Sequence, residues 1–189
     1  DLYPQSGGGR LDGVFIMDVY TLARFLEFTG PIALPDGGQV LTSETAAEFL
    51  LNDQYDLIEV DARVDVLEAF SRSVIETLLA GTLPAPTTLI DTLGPMVDQG
   101  RFTGWMARPD EQRVLEQMGM AGTLPEPGPG DGVAVVFNNA VGNKIDYYLA
   151  AVATYEVTAD ARTGSASARL DVTMTNSAPT DGEPAYVIG

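Results

Sequence analysis

Between Pro125 and Gly132 the hydrophobic period of this chain changes, and that change limits the folds open to it. Upstream, apolar residues recur three or four apart in segments that end on Gly or Pro, the spacing of amphipathic helices. Downstream the period is two. Ile145, Tyr147, Leu149, Ala151, Ala153, Tyr155 and Val157 alternate with Asp146, Tyr148, Thr154 and Glu156, and Leu170, Val172 and Met174 alternate with Arg169, Asp171, Thr173 and Thr175. Such alternation predicts long antiparallel strands with one wet face, joined through a turn at Gly164. "PEPGPGDG" reads as the linker-like turn between the two patterns. The expected fold class is therefore α/β (α+β): a helix-rich sheet domain over 1–124 and an antiparallel β module over 125–189.

Within the first part, "PQSGGGR" reads as a flexible leader, and "LDGVFIMD" as a buried strand. Asp18 is placed to cap a helix over Val19 to Phe28, with Val19, Leu22, Phe25 and Leu26 on one side and Gly30-Pro31 as its stop. "LPDGGQVL" reads as a hairpin or loop. Thr42 or Ser43 then opens a helix striped by Ala46, Phe49 and Leu50. A longer helix runs from about Asp61 to Ala80, facing Leu67, Phe70, Val74 and Leu78 inward, with a Glu68–Arg72 pair on its surface and Gly81 at its end. Thr87 or Thr88 opens the next helical stretch, which Pro95 must kink or split, and Pro109 with Asp110 and Glu111 opens another that stops at Gly119. The chain begins at Asp1 and closes on a strand-like "PAYVIG", so it reads as a fragment of a longer protein.

Composition removes whole classes of chemistry. Without Cys or His the chain has no thiol nucleophile, no Cys/His zinc site and no Ser-His-Asp triad. A net charge of -17, with only 10 Lys and Arg, disfavours nucleic acid and anionic membrane surfaces and leaves basic partners or divalent cations compatible. No apolar run approaches the roughly 18 residues of a spanning helix.

Few constellations remain. "SGGG" lacks the preceding strand and following helix of a phosphate cradle, and the single acidic residue of "PGPGDG" is too little for calcium. Asp53, Asp56, Glu59, Asp61 and Asp65 form an acidic run with the residue types of a metal or acid/base site, but their spacing reads as a solvated segment between helices. Arg63 and Arg72, on the long helix, have the fork that grips phosphate and also the spacing of surface ion pairs. Asn138, Asn139, Asn143 and Lys144 read as turn chemistry between strands, and Tyr147, Tyr148 and Tyr155 as cross-strand aromatics rather than a sugar-stacking face.

Longer blocks carry a resemblance. "LDGVFIMDVYTLARFLEFTGPIALPDGG", "LTSETAAEFLLNDQYD" and "DARVDVLEAFSRSVIETLL", with the later "GWMARPDEQRVLEQMGMAGTLP", "FNNAVGNKIDYYL" and "TMTNSAPTDGEPAYVIG", resemble an uncharacterised bacterial, mainly actinobacterial, domain-of-unknown-function family, number four thousand and twelve. That resemblance implies an envelope protein whose membrane segment and a further block precede this region. The first three blocks are also distantly similar to the second half of LytR-CpsA-Psr proteins. Asp18, Leu26 and Gly30 match that family's strand, helix and glycine turn; Ala46, Ala47 and Phe49 match its short helix; Asp61 and Arg63 match its entry into a long helix. This second resemblance implies an α/β/α sheet domain at the outer face of the membrane. It binds polyprenyl-pyrophosphate glycans and transfers them to peptidoglycan, with arginines holding the pyrophosphate.

One departure changes the expected mechanism. Where that family carries paired arginines after the short helix, this chain has Asn52 and Gln54. Neutral amides cannot neutralise a pyrophosphate leaving group, and that electrostatic term is the main thing such a transferase supplies. The expectation is an extracytoplasmic, envelope-associated module that binds a glycan or lipid-linked glycan without catalysis, through Arg63, Asn52, Gln54 and Asp18. It has no catalytic residue, no metal ligand, no cofactor and no nucleic-acid partner, and it meets the membrane only through segments outside this sequence. The alternatives are an active glycan phosphotransferase using Arg63, Asp18, Asp53 or Asp61 and Mg2+, and an acidic surface spacer or assembly module.

Overall fold

In a computed structural model the chain is described over residues 2–5, 7–34, 39–57, 60–81, 83–124, 131–181 and 185–188. These residues form a mixed α+β fold whose parts cluster as two units, Asp1–Thr123 and Leu124–Gly189. In the first unit, α1 (Leu2–Gln5) and β1 (Gly13–Met17) lead into α2 (Val19–Thr29) and a small hairpin of β2 (Ile32–Ala33) and β3 (Val40–Leu41). A broken helical segment follows: α3 (Ala46–Glu48), a π-helical turn (Phe49–Asp53) and α4 (Gln54–Leu57). Then come α5 (Val60–Ala80), α6 (Pro86–Asp98), β4 (Phe102–Met106) and α7 (Pro109–Gln117).

The core of this unit gathers on α2. Asp18 caps the helix, its carboxylate accepting from the Thr21 N–H at 2.9 Å, and Gly30 ends it with φ 80°, a left-handed conformation that favours glycine. Leu22, Phe25 and Leu26 meet Ile32 and Leu41 of the hairpin, Phe49 and Leu50, and Val66, Phe70 and Val74 of α5. Each such side chain, taken fully out of water, contributes roughly 1.5–3 kcal/mol. On α5 the buried stripe is Val66, Phe70 and Val74, with Leu78 partly covered. Leu67, expected inward, is exposed, because one residue's rotation of about 100° carries it off the stripe that Val66 occupies.

β1 pairs antiparallel with β4, from Gly13 opposite Met106 to Met17 opposite Phe102. The run "GVFIM", expected as a buried strand, is largely exposed, Ile16 by 65%. Among the described residues this sheet has two strands, and a short all-apolar run does not itself say whether one face or both will be covered. Three smaller expectations also shift. Of the expected leader "PQSGGGR", Pro4 and Gln5 belong to the helical turn α1, and the Gly8 N–H reaches the Tyr3 carbonyl at 3.1 Å. The helix expected from Thr42 or Ser43 starts at Ala46, because Thr42 and Thr45 tie their hydroxyls and amides into a turn first. Finally, α6 begins at Pro86 and runs through Pro95. Proline's fixed φ suits the first helical position, whereas Pro95 lies inside the helix and removes the bond that its N–H would make to the Asp91 carbonyl, without ending the helix before Asp98.

The second unit is built on a hairpin of β5 (Leu149–Asp160) and β6 (Ser165–Asn176), turned at Gly164 with φ 71°. Pairing puts Ala151 opposite Met174, Ala153 opposite Val172 and Tyr155 opposite Leu170 on one face, and Glu156 opposite Arg169 and Thr158 opposite Ser167 on the other. The alternation is the one the sequence predicts, but both faces are wet: Val157, Leu170, Val172 and Met174 are all exposed. Two strands cannot cover their own apolar face, which needs a further layer. Ile145–Tyr148, expected as the start of β5, is a 3₁₀ turn, and its Asp146 carbonyl accepts from the Leu149 N–H. "AYVI", expected as strand, is the short helix α8 (Ala185–Ile188); Val187 is buried and its carbonyl accepts from the Lys144 N–H at 2.9 Å. Four apolar residues are too few to carry a period. The "PEPGPG" part of the expected linker lies outside the described residues.

Candidate functional site

The polar cluster after α3 sits on the π-helical turn Phe49–Asp53. A π-turn widens the helix by a residue and recurs at functional sites. Here Phe49 and Leu50 stay in the core, and the Gln54 N–H bonds to the Phe49 carbonyl across the widened turn. The Gln54 side chain follows the same inward direction. It is only 5% exposed, and its Nε2 donates to the Leu50 carbonyl. Among the sequence-predicted binding residues, Gln54 is therefore used as an internal strut. Its neighbour Asn52 is half-buried, and its Nδ2 donates to the Asp53 carboxylate at 3.4 Å.

Arg63, in the early part of α5, folds back on α4. Its Nη2 donates to the Tyr55 carbonyl at 3.0 Å, and its guanidinium carbon lies 4.9 Å from the centre of the Tyr55 ring. Cation–π contact of this kind is worth about 0.5–1 kcal/mol at a partly exposed site and fixes the plane of the guanidinium. Asn52 with Asp53 on the π-turn, and Tyr55 with Arg63 across α4 and the start of α5, thus form two contact pairs close together in sequence. Tyr55 belongs to the polar cluster that ends "LTSETAAEFLLNDQYD" but is not among the expected binding residues. Of the acidic run, Asp53 and Asp65 are described, while the side chains of Asp56, Glu59 and Asp61 lie outside the described residues. Among the described residues, no group of three or more acidic side chains is placed to hold a metal ion.

Asp18 belongs to a second cluster. Its Oδ1 accepts from the Thr21 amide and hydroxyl, and its Oδ2 accepts from Arg101 Nη1 at 2.5 Å. The Thr21 hydroxyl, fully buried, also reaches the Arg101 carbonyl at 3.2 Å, and the Arg101 guanidinium lies 4.5 Å from the Tyr20 ring centre. The pairing of β1 with β4 brings Arg101 to Asp18 across a long separation in sequence, a register that no local pattern announces. This cluster seals the junction of β1, α2 and β4. A carboxylate so engaged has its lone pairs committed to folding.

In the second unit Tyr147 and Tyr148 pack edge to face at 4.9 Å, and Lys144 lies 5.9 Å from the Tyr186 ring centre. Tyr155 donates its phenol to the Asp131 carboxylate, and that hydrogen bond raises the phenol above its ordinary range. Asn139 donates to the Asn143 side chain at 2.8 Å, the turn role its sequence predicts, although it precedes a 3₁₀ turn rather than a strand. Arg72 pairs with Glu68 on the open surface of α5. Among the described residues, no helix is long and apolar enough to cross a membrane.

No curated protein and no solved structure matches the chain. Through residues 1–55 the chain is similar to an uncharacterised family, described as "Protein of unknown function (DUF4012)", and that match takes in Asp18, Asn52 and Gln54 and stops short of Arg63.

Proposed function

We propose that this chain is an extracytoplasmic, envelope-associated module that binds an envelope glycan or a lipid-linked glycan without transferring it. The observation that carries the reading is the fate of Gln54. At the position where LytR-CpsA-Psr relatives keep paired arginines, one residue is an amide turned inward to the Leu50 carbonyl and the other is the amide of Asn52. Neither supplies the positive charge that a departing pyrophosphate needs. What the π-turn offers instead is an aromatic ring, an amide, a carboxylate and the guanidinium of Arg63. Those groups suit sugar hydroxyls, a sugar ring face and a single phosphate. The envelope setting rests on the resemblance to LytR-CpsA-Psr proteins.

A thermal-shift titration tests this, using undecaprenyl phosphate, undecaprenyl pyrophosphate and soluble wall glycan, each with and without Mg2+, and Arg63→Ala as control. The expected result is a rise in Tm that the substitution removes, that does not need Mg2+, and that leaves the ligand chemically intact. Release of polyprenyl phosphate would instead establish the transferase, with Mg2+ and carboxylates such as Asp53 or Asp61 supporting Arg63. Absence of any shift would leave the acidic assembly module, a reading favoured by the uncovered apolar faces of β1 and of the β5–β6 hairpin.

A further inference from the structure

The two edges of the β1–β4 sheet are unequal. The Ala107 N–H donates to the Asp12 carbonyl at 2.8 Å and the Asp18 N–H to the Arg101 carbonyl at 3.2 Å, so even-numbered residues of this stretch turn their backbone groups towards β4. In an antiparallel ladder the intervening residues, Gly13, Phe15 and Met17, turn theirs to the opposite edge. The outer edge of β4 is closed: the Gly104 N–H reaches the Met120 carbonyl at 2.7 Å and the Met106 N–H reaches Gln112 Oε1 at 2.8 Å. At the outer edge of β1, among the described residues, no strand or side chain takes up the corresponding groups. Side chains repeat the asymmetry. Phe15 packs its ring against Phe102 at 5.7 Å yet is 49% exposed, and Val14, Ile16 and the half-exposed Trp105 line the uncovered face.

We infer that the free edge of β1 is a strand-addition site for an extended segment of another protein, with alternating apolar residues and basic residues at its ends. Backbone groups repeating along an edge accept only an extended backbone, so the hydrogen bonding sets the conformation of the occupant. The exposed flank of Phe15 on one face and of Val14 and Ile16 on the other call for apolar side chains at successive positions. Charge favours a basic occupant: the chain carries a net charge of -17 and Asp12 stands before the strand, while Asp18 at its other end is held by Arg101. A second copy fits less well. Antiparallel pairing of β1 with itself would bring together two chains that each carry a net charge of -17.

The test uses the whole chain and synthetic peptides: an alternating Val/Ile/Tyr strand flanked by lysines, the same peptide N-methylated on the residues that would face the edge, and a version flanked by glutamates. Binding is read by Trp105 fluorescence and by amide hydrogen exchange. The lysine-flanked peptide is expected to slow exchange at Gly13, Phe15 and Met17, and to bind at least about tenfold more tightly than either altered peptide. Ile16→Lys, whose side chain lies on the exposed face, is expected to weaken binding by a similar factor without unfolding the chain. The proposal is overturned if those amides stay unprotected at saturating peptide, or if the N-methylated peptide binds equally well. It is also overturned if the amides are already protected in the dilute chain alone, or if protection grows with chain concentration as a dimer forms, which would assign the edge to a second copy. Glycan binding at the π-turn is a separate readout and can fail without affecting any of these outcomes.

Discussion

Replacing Gln54 with glutamate keeps the size of the side chain and exchanges its N–H donor for an oxygen. In the native chain that donor meets the Leu50 carbonyl inside the π-turn. An ionised carboxylate there would face a carbonyl oxygen in a nearly water-free setting, so the folded state keeps the acid protonated and raises its pKa. A group whose folded pKa lies above its unfolded value stabilises least at high pH. Below the unfolded value, about 4.3 for Glu, the protonated acid still donates to Leu50 and little is lost. Above it the loss grows by about 1.4 kcal/mol per pH unit until the folded pKa is reached, so an acid held neutral up to about pH 7 costs roughly 3–4 kcal/mol there. Gln54→Leu is the companion variant: it removes the donor without adding a charge and should cost about 1–3 kcal/mol at either pH. Urea unfolding followed through Trp105, the 1 Trp of the chain, reports the first unit directly. A Gln54→Glu variant equally stable near pH 4 and near pH 7 would refute the internal role of Gln54 and return it to the set of residues open to a ligand.

Asp18→Ala should lower the stability of the first unit by about 1–2 kcal/mol, most of it from the lost cap, because the bridge to Arg101 is partly exposed; Asp18→Asn should retain the larger share, as urea titration of both variants will show. Phe70→Ala, at a side chain with 1% exposure, should cost about 3–5 kcal/mol by the same measurement, and a cost under about 1 kcal/mol would mean that α5 does not pack as described. In the second unit, Asp160 is held below its ordinary value, first by the Arg162 backbone N–H and then by the Thr163 hydroxyl. That contribution is present above the unfolded pKa and is lost as pH falls through the lowered folded value. Protection of the amides from Asp160 to Ser165, measured against their intrinsic exchange rates, should therefore fall on acidification before protection in the first unit does, and Asp160→Asn should flatten the response.

The parts of the fold that were legible are those where one local rule acts alone. Asp18 before an apolar helix, Gly30 and Gly119 after one, and the strict alternation through Thr154 to Val157 each state their element without help from elsewhere. What stayed hidden depended on partners. Alternation told which residues of β5 and β6 share a face, but covering that face is a property of another layer, so the expected dry face is wet. The run "GVFIM" announced a strand and not how many neighbours it has. At the candidate site the sequence marked Asn52, Gln54 and Arg63 as unlike their surroundings, and it could not say which way each points. A π-turn is a difference of one residue per turn, invisible to a three-to-four count, yet it aims Gln54 at Leu50. Arg63 has the fork of a phosphate ligand, while Tyr55, over which it stacks, stands in the same polar cluster with nothing in the sequence to pair the two. Asp18 looked functional from its place in a familiar pattern, and the contact that explains it, Arg101, comes from strand register.

Amide-resolved NMR of the chain titrated with a soluble wall glycan, and separately with its undecaprenyl-pyrophosphate-linked form, tests the central claim most directly. Binding without transfer predicts saturable shifts concentrated at Asn52, Asp53, Tyr55 and Arg63, absent from Arg63→Ala, with both ligands recovered unchanged. Cleavage of the pyrophosphate-linked ligand, or shifts that bypass the π-turn altogether, would contradict it.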